Sequence, residues 1–314
     1  MKVLFIDQVH EVLAQRLSVH DFECIDASSW SKEECIEQLE DIEGIVIRSR
    51  FPMNEEFLSH ASSLKFIARS GAGMENIDVT YTEKNKIICF NAPEGNRNAV
   101  GEHALGMLLT LFNRIHLSNN EVRDGQWKRE ANRGIELDGK KIGIIGYGNN
   151  GSAFAKKLRG FDVEVLAYDK YLKDFGDDKV KAVSLSTLFE TVDVVSFHIP
   201  QNEETLFMGD TSFFDAFKKN IYVINCARGK IIRTSALVEA MKTGKVLGAC
   251  LDVLEYESSS FENAFHTSEA APLNYLLQSP NVVLTPHVAG WTKESYFKLS
   301  NVLADKILNH DFEE

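Results

Sequence analysis

Four side chains suited to holding an anion and moving a proton fall at the ends of apolar runs: Arg228 in IYVINCARGKII, Asp252 and Glu257 in GACLDVLEYE, and His287 in NVVLTPHVAG. A guanidinium after a run apolar enough to be a buried strand needs an anion, and its planar fork matches a carboxylate through two parallel hydrogen bonds. Ala227 and Gly229 flank Arg228 and leave room for a ligand beside it. An arginine salt-bridged at a domain seam is the plainer reading of this stretch alone, and a single histidine is more often an ordinary polar residue. An Arg, a Glu and a His at neighbouring strand ends read instead as a substrate clamp, a base and the base's orienter.

A second constellation is Gly146-Tyr-Gly148-Asn-Asn-Gly151, after KIGII and before SAFAKKLRG, which is strand, turn and helix in order. Gly146 permits a tight turn, Gly148 lets a pyrophosphate approach the backbone, and Gly151 lets helix and strand pack closely. The helix N-terminus supplies N–H groups. Asp169 ends the next strand, where a carboxylate accepts the ribose hydroxyls of NAD and repels a 2′-phosphate. Lys170 beside it keeps NADP open. In open parallel sheets, ligands bind beyond the carboxyl ends of the strands, where Arg228 also lies.

The elements that must position these groups alternate almost from end to end. The first third offers the strands KVLFID, FECID, GIVIRS, LKFIARS and KIICFNA, with a capping box at Ser31 and Glu34. Residues 97–118 read as one long helix whose apolar side is too wide for a solvated surface. Six strands follow: KIGIIGYG, VEVLAYD, DVVSFHIP, IYVINCARG, VLGACLDV and NVVLTPH. The expected fold is α/β, two doubly wound parallel-sheet domains, the central one Rossmann-type and the other flavodoxin-like. A length of 314 residues suits two domains. The final helix, from Trp291, is expected to return to the first domain.

A net charge of −12 opposes nonspecific attraction to nucleic acid or anionic lipid. The N-terminus has no secretory apolar core and no run is long enough to span a bilayer, so a cytoplasmic protein is expected. Five cysteines without CxxC spacing read as buried free thiols, and no metal site is expected.

In their order and spacing, RSGAGMENID, NAPEGNRNAVGEHALGML, GYGNNG, FHIP, NCARGKII, LDVLEYE and TPHVAG resemble the NAD-dependent D-2-hydroxyacid dehydrogenases over nearly the whole chain. The resemblance implies a discontinuous substrate domain (1–96 and 290–314), an NAD-binding Rossmann domain (97–289), a cleft between them and a homodimer. It implies Arg228, Glu257 and His287 as the catalytic trio, and Asp252 as partner of the nicotinamide carboxamide. The backbone of Ser70, Gly71, Ala72 and Gly73 would hold the substrate carboxylate. His198, Pro200, Cys226, Ala227 and Gly290 join the glycine turn and Asp169 as cofactor neighbours, with ring and backbone roles of His198 not separable. Some positions depart from the family pattern. Asn149 and Asn150, counted with the cofactor contacts, replace the commoner Arg-Ile. Arg233 stands where an acid is usual, so capping of the next helix falls to Thr234 or Ser235. Ser258 replaces a proline, and the long loop after it is expected to be mobile.

IRSR and NAPEGNRN further resemble the D-3-phosphoglycerate dehydrogenase branch. Arg48 or Arg50, on one side of an extended chain, would then hold a phosphate with help from Asn96. The alternative is a pair of solvated loop arginines. The expected reaction is oxidation of 3-phosphoglycerate to 3-phosphohydroxypyruvate, a step of serine biosynthesis, without a C-terminal regulatory domain. Rival readings are a hydroxypyruvate or glyoxylate reductase and an NAD(H)-sensing corepressor-like protein. His103, His116 and the TSFFDAF phenylalanines read as packing or surface positions, and Trp127 as reaching toward a partner subunit.

Overall fold

The structure is a computed structural model describing residues 1–257 and 271–312. Ser258 and the long loop after it lie outside the described residues. The described chain divides into two compact units, residues 1–97 with 291–312, and residues 98–257 with 271–290.

The first unit is built on a parallel sheet of β1 (Lys2–Phe5), β2 (Glu23–Asp26), β3 (Gly44–Ile47), β4 (Phe66–Arg69) and β5 (Ile88–Asn91), in the order β2-β1-β3-β4-β5. This is the flavodoxin-like order, with its reversal between β1 and β3. Strand residues alternate between two faces. Leu4, Ile6, Ile45, Ile47 and Ile67 pack on Leu39, Met53 and Phe57. Val3, Phe5, Val46, Phe66 and Ala68 pack on Leu13, Leu17, Leu303, Ala304 and Ile307, so the Lys293–Leu308 helix closes this unit's second face. The capping box at Ser31 and Glu34 is formed.

The second unit carries β6 (Lys141–Ile145), β7 (Glu164–Tyr168), β8 (Val180–Ala182), β9 (Val194–Phe197), β10 (Ile221–Asn225), β11 (Val246–Leu251) and β12 (Val282–Leu284). Their order is β12-β11-β10-β9-β6-β7-β8, all parallel and reversing between β6 and β9, the Rossmann arrangement. The sheet has seven strands, against six expected. The extra one, β8, is three residues of which only Val180 is buried, so it carries no apolar run to read. Phe213 and Phe214 are core residues, as read.

The single helix expected over 97–118 is two. One runs Pro93–Phe112, burying Val100, Ala104, Met107, Leu108 and Leu111, and a second runs Ile115–Arg123. Arg114 adopts a left-handed conformation at φ 52°, and the Phe112 carbonyl accepts the Ile135 N–H at 3.0 Å in place of a helical donor. Among the described residues no helix is long and apolar enough to cross a membrane.

Candidate active site

The carboxyl ends of β10, β11 and β12, adjacent in the sheet, carry the four residues first singled out. Beyond β10, the buried Asn225 side chain clamps the turn: its Oδ1 accepts the Ala227 N–H at 3.1 Å and its Nδ2 donates to the Arg228 carbonyl at 2.9 Å. Arg228 is extended, and its Nη1 donates to the Ala227 carbonyl at 2.6 Å. The room expected beside Gly229 is taken by protein. A Cβ there would lie 1.9 Å from the Leu254 carbonyl oxygen, so this glycine exists for the close approach of the loop after β11.

That loop delivers Glu257. Its Oε1 accepts the Leu254 N–H, and its Oε2 lies 2.6 Å from Nδ1 of His287. His287 sits beyond β12 at φ 55°, a left-handed conformation uncommon for a non-glycine residue, and its N–H donates to the Asp252 carbonyl at 2.7 Å. The Glu–His pair is thus fixed at ring and backbone, the arrangement by which a carboxylate orients an imidazole for proton transfer.

Asp252 is buried and heavily bonded. Thr285 Oγ1 donates to it at 2.6 Å, and the N–H groups of Val288 and Ala289 at 2.9 and 2.8 Å. Burial alone would raise its carboxyl, but His103, Thr285 and these amides outweigh burial and hold it below the usual carboxylate range. His103, read as packing or surface, belongs to this network: its Nε2 is 2.9 Å from Thr285 Oγ1 and 3.5 Å from Asp252.

The glycine turn fits a dinucleotide. Gly146 has φ 88°, and a Cβ on Gly151 would stand 1.9 Å from the Gly146 carbonyl oxygen, while one on Gly148 would meet nothing within 4 Å. Gly148 precedes the Asn149–Leu158 helix and no side chain caps it, which leaves an open helix N-terminus toward which a pyrophosphate can approach. Asn149 and Asn150 open that helix, and Asn150 Oδ1 is buried without a hydrogen-bond partner. Asp169, beyond β7, accepts N–H groups from Tyr147, Tyr171 and Leu172 at 2.8–2.9 Å. Burial would raise its carboxyl, but these amides hold it below the usual range.

Ring and backbone of His198 separate in the structure. Its Nε2 lies 2.8 Å from Ser196 Oγ, its ring packs near Phe154, and burial pushes it down to about 3, so it stays neutral. Its carbonyl borders Gly146. The Cys226 thiol is buried and raised by that burial, and then by Asp252 and Cys250, so any cofactor contact at Cys226 falls to its backbone. Pro200 offers a carbonyl already bonded to Thr205 Oγ1 at 2.7 Å.

Lys170, beside Asp169, donates to Glu204 Oε2 at 2.5 Å, and Tyr171 donates to the same oxygen at 2.9 Å. Asp169→Ala is expected to narrow the NAD:NADP ratio of kcat/KM by roughly tenfold, about the worth of one charge-assisted hydrogen bond. Asp169→Ala with Glu204→Ala narrows it further by releasing Lys170 toward a 2′-phosphate. Steady-state kinetics with both cofactors measures this, and an unchanged ratio contradicts the role of Asp169.

In the first unit the extended chain assumed for Arg48 and Arg50 is absent. β3 ends at Ile47, and residues 48–50 bend around Asp7, whose Oδ2 accepts the N–H groups of Arg48, Ser49 and Arg50 at 2.6, 3.1 and 3.3 Å. The two guanidinium groups diverge. Arg50 donates to the carbonyls of Ile6 and Ala27 at 2.9 and 3.1 Å and to that of Trp30. Arg48 lies 4.1 Å over the Trp291 ring. In the SGAG loop, the Ser70 and Gly71 amides already donate to Ile47 and Arg69 carbonyls at 2.8 Å. Any carboxylate held by this loop's amides therefore falls to Ala72 and Gly73. Arg69, unremarked in the sequence, is buried at the end of β4, where its Nε donates to the Arg48 carbonyl at 3.1 Å. Asn96 has a buried Oδ1 with no hydrogen-bond partner.

The capping expected of Thr234 or Ser235 does not occur. Neither side chain caps the Thr234–Lys242 helix, and Glu255 Oε2 accepts the Thr234 N–H at 2.7 Å instead. Arg233 stacks 4.0 Å from the Phe207 ring. No cluster of His, Cys, Asp or Glu suited to a metal occurs among the described residues.

Residues 105–289 match the family model described as D-isomer specific 2-hydroxyacid dehydrogenase, NAD binding domain. The chain is 35% identical over 311 residues to a D-3-phosphoglycerate dehydrogenase of Archaeoglobus fulgidus, covering 98% of this chain and 57% of that protein. It is 33% identical over 276 residues to a hydroxypyruvate reductase of Thermotoga maritima, covering 88% of this chain and 87% of that protein. Among solved structures, a D-lactate dehydrogenase from Aquifex aeolicus complexed with NAD and lactic acid superposes with a TM-score of 0.82 at 27% identity, over 98% of this chain and 94% of that one. The chain spans little more than half the length of the phosphoglycerate dehydrogenases it matches, 57% and 56% for two of them.

Proposed function

This chain belongs to the D-isomer specific 2-hydroxyacid dehydrogenase family, and from that premise we propose that it interconverts a D-2-hydroxy acid and its 2-oxo acid with NAD. The observation that carries the reading is the 2.6 Å pairing of Glu257 Oε2 with His287 Nδ1, beyond the two strands that follow the Arg228 strand in the sheet. With Nδ1 held by the carboxylate, His287 takes the hydroxyl proton at Nε2 in oxidation and returns it in reduction. Arg228 holds the substrate carboxylate and polarises the C2 oxygen. NAD, when bound, supplies the hydride acceptor at its nicotinamide, with Asp252 assigned to the carboxamide.

Within that class, the favoured substrate pair is 3-phosphoglycerate and 3-phosphohydroxypyruvate. The likeness to phosphoglycerate dehydrogenases supports it, and the likeness to a hydroxypyruvate reductase supports the second reading. Our reading places the phosphate on Arg48 and Asn96, and it is supported by Arg50 donating to three backbone carbonyls. Charge-assisted hydrogen bonds contribute about 1.5–3 kcal/mol each, so a preference for phosphohydroxypyruvate over hydroxypyruvate of roughly tenfold to a hundredfold in kcat/KM is expected. Arg48→Ala should abolish that preference, while Arg50→Ala should lower Tm and leave the preference in place. Equal kcat/KM values in the wild type would assign the chain to the hydroxypyruvate reductases.

A homodimer is proposed as the working form. The Ile115–Arg123 helix buries none of its residues within the chain, Ile115 and Val122 are exposed, and Trp127 is 79% exposed. Apolar groups gathered in this way mark an association surface. Sedimentation velocity is expected to give a dimer that Trp127→Asp with Val122→Asp converts to monomer.

A further inference from the structure

We infer that Glu255 is a positioning residue for the proposed reaction, tying the loop that bears Glu257 to the first turn of the Thr234–Lys242 helix and so setting where the His287 ring is held. The inference rests on the dehydrogenase reading above.

The first N–H groups of any helix lack partners within it. Here the first turn carries no acidic residue, and the side chain of Arg233, at the capping position, offers no acceptor. Glu255 Oε2 supplies an acceptor from outside the helix, 2.7 Å from the Thr234 N–H, and brings a negative charge to the positive end of the helix dipole. The Tyr256 hydroxyl also reaches the Thr234 side chain. Just before this anchor the same loop meets the arginine turn, where Gly229 admits the Leu254 carbonyl. Just after it, Leu254 N–H is bonded to Glu257 Oε1, Glu257 N–H to the Leu254 carbonyl at 3.2 Å, and Glu257 Oε2 to His287.

One continuous run of contacts thus links the Arg228 turn, the helix start, the loop and the imidazole. A helix with its own cap would leave the loop held by the backbone contact at Gly229 and by Tyr256. Arg233 removes that local cap, so helix capping and loop placement become one interaction. A displacement of about 1 Å in a catalytic group can cost roughly a hundredfold in rate.

The test separates capping from positioning. Glu255→Ala is expected to lower both Tm and kcat, the latter by about tenfold to a hundredfold, with a smaller change in KM. Adding Arg233→Asn gives the helix a cap of its own, and Asn avoids placing a second carboxylate beside Asp210, whose charge Arg233 now balances. The double variant should recover Tm and keep the low kcat. Glu255→Gln, whose amide oxygen still accepts the Thr234 N–H, should recover most of kcat. If kcat returns together with Tm in the double variant, or if Glu255→Ala has wild-type kcat, Glu255 is a cap alone and the inference fails. A readout independent of turnover is amide hydrogen exchange over residues 254–257, expected to be faster in the double variant while the helix exchanges as in wild type; unchanged exchange overturns the inference. If the wild-type protein reduces no 2-oxo acid, the dehydrogenase reading falls and the exchange result alone decides the role of Glu255.

Discussion

His287→Asn is expected to lower kcat by roughly a hundredfold to ten-thousandfold while NADH binding, followed by fluorescence titration, stays near wild type. Asparagine is the informative replacement because residue 287 sits at φ 55°, a conformation that Asn tolerates better than most residues. Its N–H can keep the bond to the Asp252 carbonyl, and its amide can still donate to Glu257, so the turn after β12 is preserved. What disappears is a ring nitrogen able to take and return the hydroxyl proton. Collapse of NADH binding in this variant would show that residue 287 builds the cofactor site rather than carrying the proton.

Arg228→Lys is expected to fold with a Tm near wild type and to lose about two orders of magnitude or more in kcat/KM. The backbone here is held independently of the guanidinium, through the Asn225 clamp and the close contact at Gly229. An ammonium keeps the charge but cannot grip a carboxylate with two parallel bonds while polarising the neighbouring oxygen. Near-normal kcat/KM would make Arg228 a structural residue, its Nη1 bonded to the Ala227 carbonyl.

The sheets are legible because most strands are apolar runs bounded by turn residues. β8 escaped notice because an edge strand with one buried residue has nothing to alternate. The glycine turn was legible residue by residue, since each glycine answers a steric demand that sequence order reveals. Glu257 and His287 could be placed at strand ends, but their pairing depends on the left-handed turn at His287, which no periodicity announces.

What sequence could not show was where guanidinium groups and helix caps find partners. Arg48 and Arg50 look alike in IRSR, yet Asp7 bends the chain between them and sends one to carbonyls and the other to Trp291. The cap on the Thr234–Lys242 helix comes from a residue 21 positions away. His103 carries no signal beyond being a polar residue on an apolar helix, and its role follows from the depth of Asp252. Arg69 carries the same signal as Arg228, a guanidinium closing an apolar strand.

The most direct measurement is the reaction itself: purified protein with NADH and, in turn, phosphohydroxypyruvate, hydroxypyruvate, glyoxylate and pyruvate, following the loss of reduced nicotinamide and, for all but glyoxylate, whose product is achiral, the configuration of the product at C2. The account predicts turnover of at least one of these 2-oxo acids to the D-2-hydroxy acid, fastest with phosphohydroxypyruvate and suppressed in His287→Asn. NADH binding without turnover of any of them, or an L-configured product, would contradict it.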